Sequence, residues 1–356
     1  MKIANIILSS QNGGAEQVFI DYLRILKNLN HQLLAITKID APYKDKVEEL
    51  GVELKTITNH FGYHDFFAVK NIRKILHEFD ADVVIAHVGR SMVLVKKALN
   101  SNEKTKIIGV NHSINVKRSI GCDLIFSVNK EAFFKTIDLG QNEAQSFVIP
   151  NATDVSDALD FQEINLPNQE KIILGSLGRF DKAKGFDVLF FALSELKKSG
   201  KKFSLKLAGS GKEEENLKAL AQKLGLENDI EFCGWIKNKK DFFAQIDIFC
   251  MSSTDISGET FGLVLLEAMK YRKPIISCNA DGPKDVLRDE IDALIFDVRS
   301  GEKEKIVSEM AQKILRLSNE PDLANKLTNH AFNRLMEKFT YAALEKRFAE
   351  IFGRAK

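Results

Sequence analysis

The chain has 356 residues, too many for one average domain and suited to two of about 150 to 180. Its 44% hydrophobic and 28% charged residues are ordinary for a globular protein. A formal charge of +2 argues against a dedicated nucleic-acid binder, and no stretch approaches the ~20 apolar residues of a membrane span.

The opening Met1–Leu8 is apolar for too short a distance to be a secretion signal, and it reads as a first strand, Ile3–Leu8. Short Val/Ile-rich runs then alternate with longer amphipathic segments. Further strands are expected at Gln32–Thr37, Glu53–Thr56, Val83–His87, Lys106–Asn111, Leu124–Val128 and Ser146–Ile149, with helical patterns such as Glu16–Leu29 and Phe66–Phe79 between them. Residues 150 to about 170 lack periodicity and contain Pro167, which predicts an interdomain linker over 156–170. The strand scheme returns at Ile172–Leu177, Ser204–Ala208, Ile230–Cys233, Ile248–Met251, Pro274–Ser277 and Ala293–Phe296. Helices from about Gly301 to Arg354 close the chain. Such alternation predicts an α/β protein of two doubly wound parallel sheets covered by helices on both faces, 1–155 and 171–338. Cys122, Cys233, Cys250 and Cys278 stand singly among apolar neighbours without metal-ligand spacing. They predict buried free thiols in a reducing cytoplasm and no structural metal.

In doubly wound sheets, ligands bind beyond the carboxyl ends of the strands. Several candidate groups fall there. Arg179 and Lys184 follow the strand Ile172–Leu177 beside glycines, and together they suit a phosphate clamp of one forked and one mobile cation. Alone, either reads more readily as a surface charge. Glu259 and Glu267 lie eight residues apart across the start of a helix. The N–H groups of Thr260 to Leu263 between them form a positive helix end able to take an anion such as a diphosphate. Gly209 and Gly211 lack the third glycine of a dinucleotide fingerprint and fit a tight strand-to-helix turn.

In order along the chain, Gly178-Arg179, Lys184-Gly185, Leu207-Ala208-Gly209, Gly234-Trp235, Gly258-Glu259 with Glu267, and Asp281-Gly282-Pro283 resemble the retaining glycosyltransferases of family 4, whose architecture is GT-B. Gly13-Gly14-Ala15-Glu16 is similar to that family's N-terminal glycine loop. The resemblance implies two Rossmann-like domains facing across a cleft, with a last helix at 339–356 crossing back to the N-terminal domain. It implies a nucleotide-sugar donor on the second domain. There Glu267 would hold the ribose hydroxyls and Glu259 a sugar hydroxyl. Phe261, Gly262 and Leu263 would offer backbone amides, and Arg179 and Lys184 would neutralise the departing diphosphate. Gly209 belongs to the same expected site. Trp235 has two readings, a flank for the base or a packed core aromatic. The chain departs from the family pattern at Met251, Ala152, Arg272 and Asp285, where proline, glycine, glycine and glutamate are usual.

The first domain is expected to carry a glycan or lipid-linked acceptor. Gly13 and Gly14 permit close backbone approach to a ligand, or simply make a strand-to-helix turn with Glu16. His112, at a strand end, matches the family's histidine facing the donor sugar, and His87 ends the neighbouring strand. From residue 88 to 122, Arg90, Lys96, Lys97, Lys104, Lys106, Lys117 and Arg118 face a single acid, Glu103. This run reads either as a solvated face or as contact with a phosphorylated or lipid-linked acceptor or with an anionic membrane surface at the inner side of the bilayer.

The implied chemistry is transfer from a nucleoside-diphosphate sugar, a UDP-sugar above all, with retention by front-face attack. No Asp-x-Asp follows a strand, so metal independence is expected, and no other cofactor. Assembly of surface polysaccharide or lipopolysaccharide is the role the resemblance implies. The rivals are a GT-B nucleotide-sugar epimerase or phosphorylase-like enzyme, a non-catalytic sugar-nucleotide-binding subunit, and a nicotinamide oxidoreductase. The last lacks its Gly-x-Gly-x-x-Gly after the first strand.

Overall fold

A computed structural model describes residues 1–99, 104–160, 164, 171–254 and 258–354. The chain divides into two units, Met1–Thr153 with Lys338–Lys356, and Asp154–Glu337. Most of the segment expected as a linker, 156–170, lies outside the described residues, as do Glu103 and Asp255 to Ser257.

The first unit runs β1 (Lys2–Ile7), α1 (Gly14–Asn28), β2 (Gln32–Lys38), α2 (Lys44–Glu49), β3 (Glu53–Ile57), α3 (Phe66–Phe79), β4 (Val83–His87), α4 (Val88–Ala98), β5 (Lys106–Asn111), β6 (Leu124–Ser127), α5 (Lys130–Asp138) and β7 (Ser146–Val148). Its seven strands pair in the order β3-β2-β1-β4-β5-β6-β7, every pairing parallel. The strands are apolar on both faces because both are covered: β1 has five buried residues in six. One face packs Phe19, Leu23 and Leu26 of α1. The other packs Ile72 and Leu76 of α3 and Leu94 and Val95 of α4. The order reverses between β1 and β4, which opens a crevice at their carboxyl ends.

The second unit runs β8 (Ile172–Leu177), α6 (Phe186–Lys198), β9 (Phe203–Ala208), α7 (Glu214–Lys223), β10 (Ile230–Gly234), α8 (Lys239–Ala244), β11 (Ile248–Cys250), α9 (Leu263–Lys270), β12 (Ile275–Cys278), α10 (Asp281–Val286), β13 (Leu294–Phe296), α11 (Lys303–Asn319) and α12 (Pro321–Lys338). Its parallel order is β10-β9-β8-β11-β12-β13, with the reversal between β8 and β11. The loops after those two strands carry Arg179, Lys184 and Glu259. Topology alone therefore brings together residues about 75 positions apart.

The last helix, α13 (Tyr341–Arg354), belongs to the first unit. Leu344, Phe348, Ile351 and Phe352 enter the core beside α1, and Phe348 meets the Tyr22 ring edge-on at 4.9 Å. The Tyr341 hydroxyl donates to Asp21 at 2.6 Å. Three of the four cysteines are buried, and Cys233 is half-buried near the end of β10, so the expectation of four interior thiols holds for three.

Candidate functional site

In the second unit, two loops are sewn together at the switch point. The Ser252 hydroxyl donates to the Lys184 carbonyl at 2.9 Å, and the Thr254 amide donates to the Ala183 carbonyl at 3.1 Å. Gly185 makes this approach possible. Its φ is +62°, and a Cβ there would lie 2.1 Å from the Ser252 oxygen. Lys184 Nζ then reaches Glu259 Oε2 at 2.5 Å, and the Ser253 hydroxyl donates to the same oxygen at 2.8 Å. Glu259 is buried, so a cation and a hydroxyl are what its charge requires.

The backbone beneath Glu259 is fixed by Gly282. Its amide donates to the Glu259 carbonyl at 2.9 Å, and an added Cβ would lie 2.2 Å from the Phe261 nitrogen. Phe261 itself is buried. Beside Gly282, Asp281 takes hydrogen bonds from Lys284 and Arg299 at 3.0 and 2.5 Å. Burial acts to raise its carboxyl, but those two cations prevail and hold it below the ordinary carboxylate range.

The helix begins later than the sequence implies. Residue Leu263 is the first of α9 and Gly262, at φ 83°, is its N-cap, with no side-chain cap and no acid in the first turn. Glu259 therefore stands in the loop, and its separation from Glu267 is not a helical one. The positive end of the helix lies at Leu263 and the residues just after it, four positions beyond Glu259 in sequence.

The two cations do not act on one partner. Arg179 pairs with Asp181 at 2.6 Å and its side chain is 76% exposed, whereas Lys184 is half-buried against Glu259. Glu267 is paired as well: Lys239 Nζ, at the start of α8, lies 2.8 Å from its Oε1. Lys239 escaped the sequence reading. It precedes Glu267 by 28 residues with no local motif, and only the folded unit brings the two side chains together.

Gly209 serves backbone packing. Its φ is +137°, a Cβ there would lie 1.9 Å from the Gly178 oxygen, and its amide donates to the Gly234 carbonyl at 2.8 Å. It thus holds the loops after β8, β9 and β10 together. Trp235 follows Gly234 and is 74% exposed, which removes the packed-core reading of that ring.

In the first unit, Gly13 is the N-cap of α1, and its amide donates to Glu16 at 2.9 Å, with Gly14 the first residue of the helix. The turn-with-Glu16 reading describes this local geometry. His87 Nδ1 and His112 Nε2 lie 2.9 Å apart with rings stacked at 5.1 Å. His87 is wholly enclosed, edge-on to Phe19 and Tyr22. Burial lowers His87 well below the usual imidazole range, the neighbouring His112 adding to this, and burial lowers His112 to about 4. Val88, immediately after His87, takes φ 58°, a costly conformation for a β-branched residue.

The basic run is largely occupied within its own unit. Lys96 donates to the carbonyls of Arg118 and Ile120 at 2.9 and 2.8 Å, Lys97 to that of Tyr63 at 2.8 Å, and Lys106 pairs with Asp123 at 3.2 Å. The Arg118 guanidinium lies over the Tyr63 ring at 4.5 Å. Among the described residues, no group of three or more His, Cys, Asp or Glu is placed to hold a metal, and no helix is long and apolar enough to cross a membrane.

Two doubly wound parallel units with the cationic and acidic groups gathered at a switch point define a GT-B glycosyltransferase class of protein. Residues 157–334, half the chain, match the family model for glycosyl transferases group 1, and the chain belongs to that family. It is similar to the lipopolysaccharide core biosynthesis glycosyltransferase LpsD of Rhizobium meliloti, 25% identical over 360 residues, covering 99% of this chain and 98% of that one. It is also similar to the O-antigen biosynthesis glycosyltransferase WclY of Escherichia coli, 25% identical over 78% of this chain and 80% of that one. Among solved structures, Anabaena HepE in complex with UDP and glucose superposes with a TM-score of 0.82 at 20% identity, covering 99% of each chain. The lipopolysaccharide outer core galactosyltransferase WaaB superposes with a TM-score of 0.79 at 18% identity, covering 99% of this chain and 100% of that one.

Proposed function

We propose that this protein is a retaining, metal-independent glycosyltransferase. It moves a sugar from a UDP-sugar to a glycan or lipid-linked acceptor in the synthesis of lipopolysaccharide or another surface polysaccharide. The observation that carries the reading is the Lys184–Glu259–Ser253 cluster beside the uncapped start of α9. The names of LpsD and WclY support the pathway, and the UDP bound by HepE supports the base.

On this reading the diphosphate sits at the start of α9, where Leu263 and its neighbours offer amides and Lys184 and the exposed Arg179 offer charge. Glu267 accepts from the ribose hydroxyls and Glu259 from a hydroxyl of the sugar. The bond from the anomeric carbon to the phosphate oxygen breaks and its electron pair stays on the phosphate. The acceptor oxygen bonds to the same face of that carbon, and its proton passes to the leaving phosphate. Catalysis comes from stabilising the departing diphosphate and from positioning the acceptor.

The deciding experiment is release of free nucleotide from UDP-, GDP- and ADP-sugars, with and without EDTA, by wild type and Glu267→Ala. Release from UDP-sugar, unchanged by EDTA and lost in the variant, is expected. Failure to bind or turn over any of the donors would overturn the reading.

A further inference from the structure

His87 closes β4 in a place that an apolar ring would fill at lower cost. It is wholly enclosed, paired in register with Ile7 of β1 on one side and Val110 of β5 on the other, and Phe19 and Tyr22 stand edge-on to its ring. Phenylalanine would occupy this site with no polar atom to satisfy. Histidine brings two ring nitrogens and uses one of them. Nδ1 lies 2.9 Å from Nε2 of His112, whereas among the described residues the buried Nε2 of His87 has no hydrogen-bond partner. A buried polar atom left unpaired costs stability, and so does the backbone beside it, where Val88 turns the chain from β4 into α4 at φ 58°. Such costs persist at positions that serve a purpose, and the polar contact they secure is the one with His112.

His112 differs from His87 in being accessible. It follows Asn111, the last residue of β5, at the carboxyl end of the sheet and beside β4, one of the two strands between which the order reverses. Ligands of doubly wound sheets enter at that end. His112 is half-buried there, with the enclosed His87 behind it. The nitrogens approach far closer than the ring centres, 2.9 against 5.1 Å, so each ring turns a nitrogen toward the other and the contact is a hydrogen bond. Burial lowers both imidazoles, His112 to about 4, so both are neutral at pH 7. A neutral imidazole has one N–H and one lone pair. A single proton therefore lies between the two rings, and the nitrogen that carries it fixes the tautomer of both at once.

From this geometry we infer that His87 is a positioning residue: its Nδ1 hydrogen bond holds His112 in one ring plane and one neutral tautomer, so that the other nitrogen of His112 has a single fixed role, donor or acceptor, at the carboxyl end of β5. The effect on turnover rests on the glycosyltransferase reading above. The effect on the ring does not.

The test reads the ring nitrogens directly. Long-range proton–nitrogen correlation spectra are recorded at pH 7 on the full chain labelled at its seven histidines, with His112→Gln used to identify the His112 signals. Wild type is expected to show one protonated and one bare nitrogen in His112, the pattern of a single neutral tautomer. His87→Leu fills the site without a nitrogen, and should leave two half-protonated nitrogens, the average of exchanging tautomers. His87→Asn keeps a polar atom near the place of Nδ1 and should restore the single tautomer. In turnover of a UDP-sugar, His87→Leu should lower kcat by about 10- to 100-fold with KM changed by less than about threefold, and His87→Asn should recover most of the loss. Circular dichroism melting of the same samples separates loss of the contact from loss of the fold, and if His87→Leu does not fold, the wild-type and His87→Asn spectra decide. Averaged His112 nitrogens in wild type, or a single tautomer that persists in His87→Leu, would overturn the assignment. So would tautomer exchange in His87→Leu with wild-type kcat. A single tautomer lost in His87→Leu and restored in His87→Asn supports the positioning role even where no donor is turned over, and the failure would then belong to the reading of the reaction.

Discussion

Lys184 and Glu259, 75 positions apart, meet at 2.5 Å over the loop that leads into α9. Both are mostly withdrawn from solvent, with side-chain exposures of 29% and 10%, so each is the other's principal compensation for lost hydration. Lys184→Ala is expected to lower kcat by about 100- to 1,000-fold, as expected for loss of a preorganised group facing developing charge. A double-mutant cycle with Glu259→Gln should show coupling of about 0.5–3 kcal/mol in thermal unfolding. Additive effects would mean that the pair does not act as a unit.

Glu267→Ala should weaken UDP binding by about 10- to 100-fold, the cost of hydrogen bonds to a charged acceptor. Lys239→Ala should change affinity far less, since the ribose hydroxyls would replace the contact that Lys239 makes at 2.8 Å. Isothermal titration with UDP measures both. Equal losses would make Lys239 itself a ligand contact.

Gly185→Ala should destabilise the second unit by about 1–3 kcal/mol or more, because its φ of +62° and its 2.1 Å approach to the Ser252 oxygen both exclude a Cβ. Lys184 and Glu259 would separate, so turnover should fall with stability. Circular dichroism melting and nucleotide release on the same sample would show whether the two losses travel together.

His112 titrates near 4, below the ordinary imidazole value of about 6.5. Between those values the unfolded chain binds a proton that the folded chain does not. The contribution of His112 to stability should therefore be full above about pH 6.5 and be lost as pH falls toward 4. His112→Gln should reduce that part of the pH dependence, with the remainder carried by the likewise lowered His87, read as the difference in Tm between pH 7 and pH 5. An unchanged slope would show that other groups carry it.

Turnover should continue undiminished after exhaustive EDTA treatment. On the proposed reading, Arg179, Lys184 and the start of α9 would supply the positive charge that a metal would otherwise provide. Restoration of lost activity by added Mg²⁺ would contradict this.

The order of elements was legible in the sequence because a parallel strand buried on both faces announces itself as a short apolar run, and a helix as a 3.6-residue period. All thirteen strands among the described residues fall where those runs lie, from Lys2–Ile7 to Leu294–Phe296. The glycines at 185, 209 and 282 were visible as residues but not as reasons. What they avoid is the oxygen of Ser252, the oxygen of Gly178 and the nitrogen of Phe261, distances that exist only after the loops meet. The same holds for the partners of the candidate acids and bases. Residue type shows that Glu267 can accept hydrogen bonds and that Arg179 is always charged. Only the folded chain shows that Lys239 occupies the first, that Asp181 holds the second, and that His87 is enclosed behind His112. Periodicity is a local property of the chain and survives in the sequence. Pairing of side chains across loops depends on sheet order and register, and those are decided by packing of the whole unit.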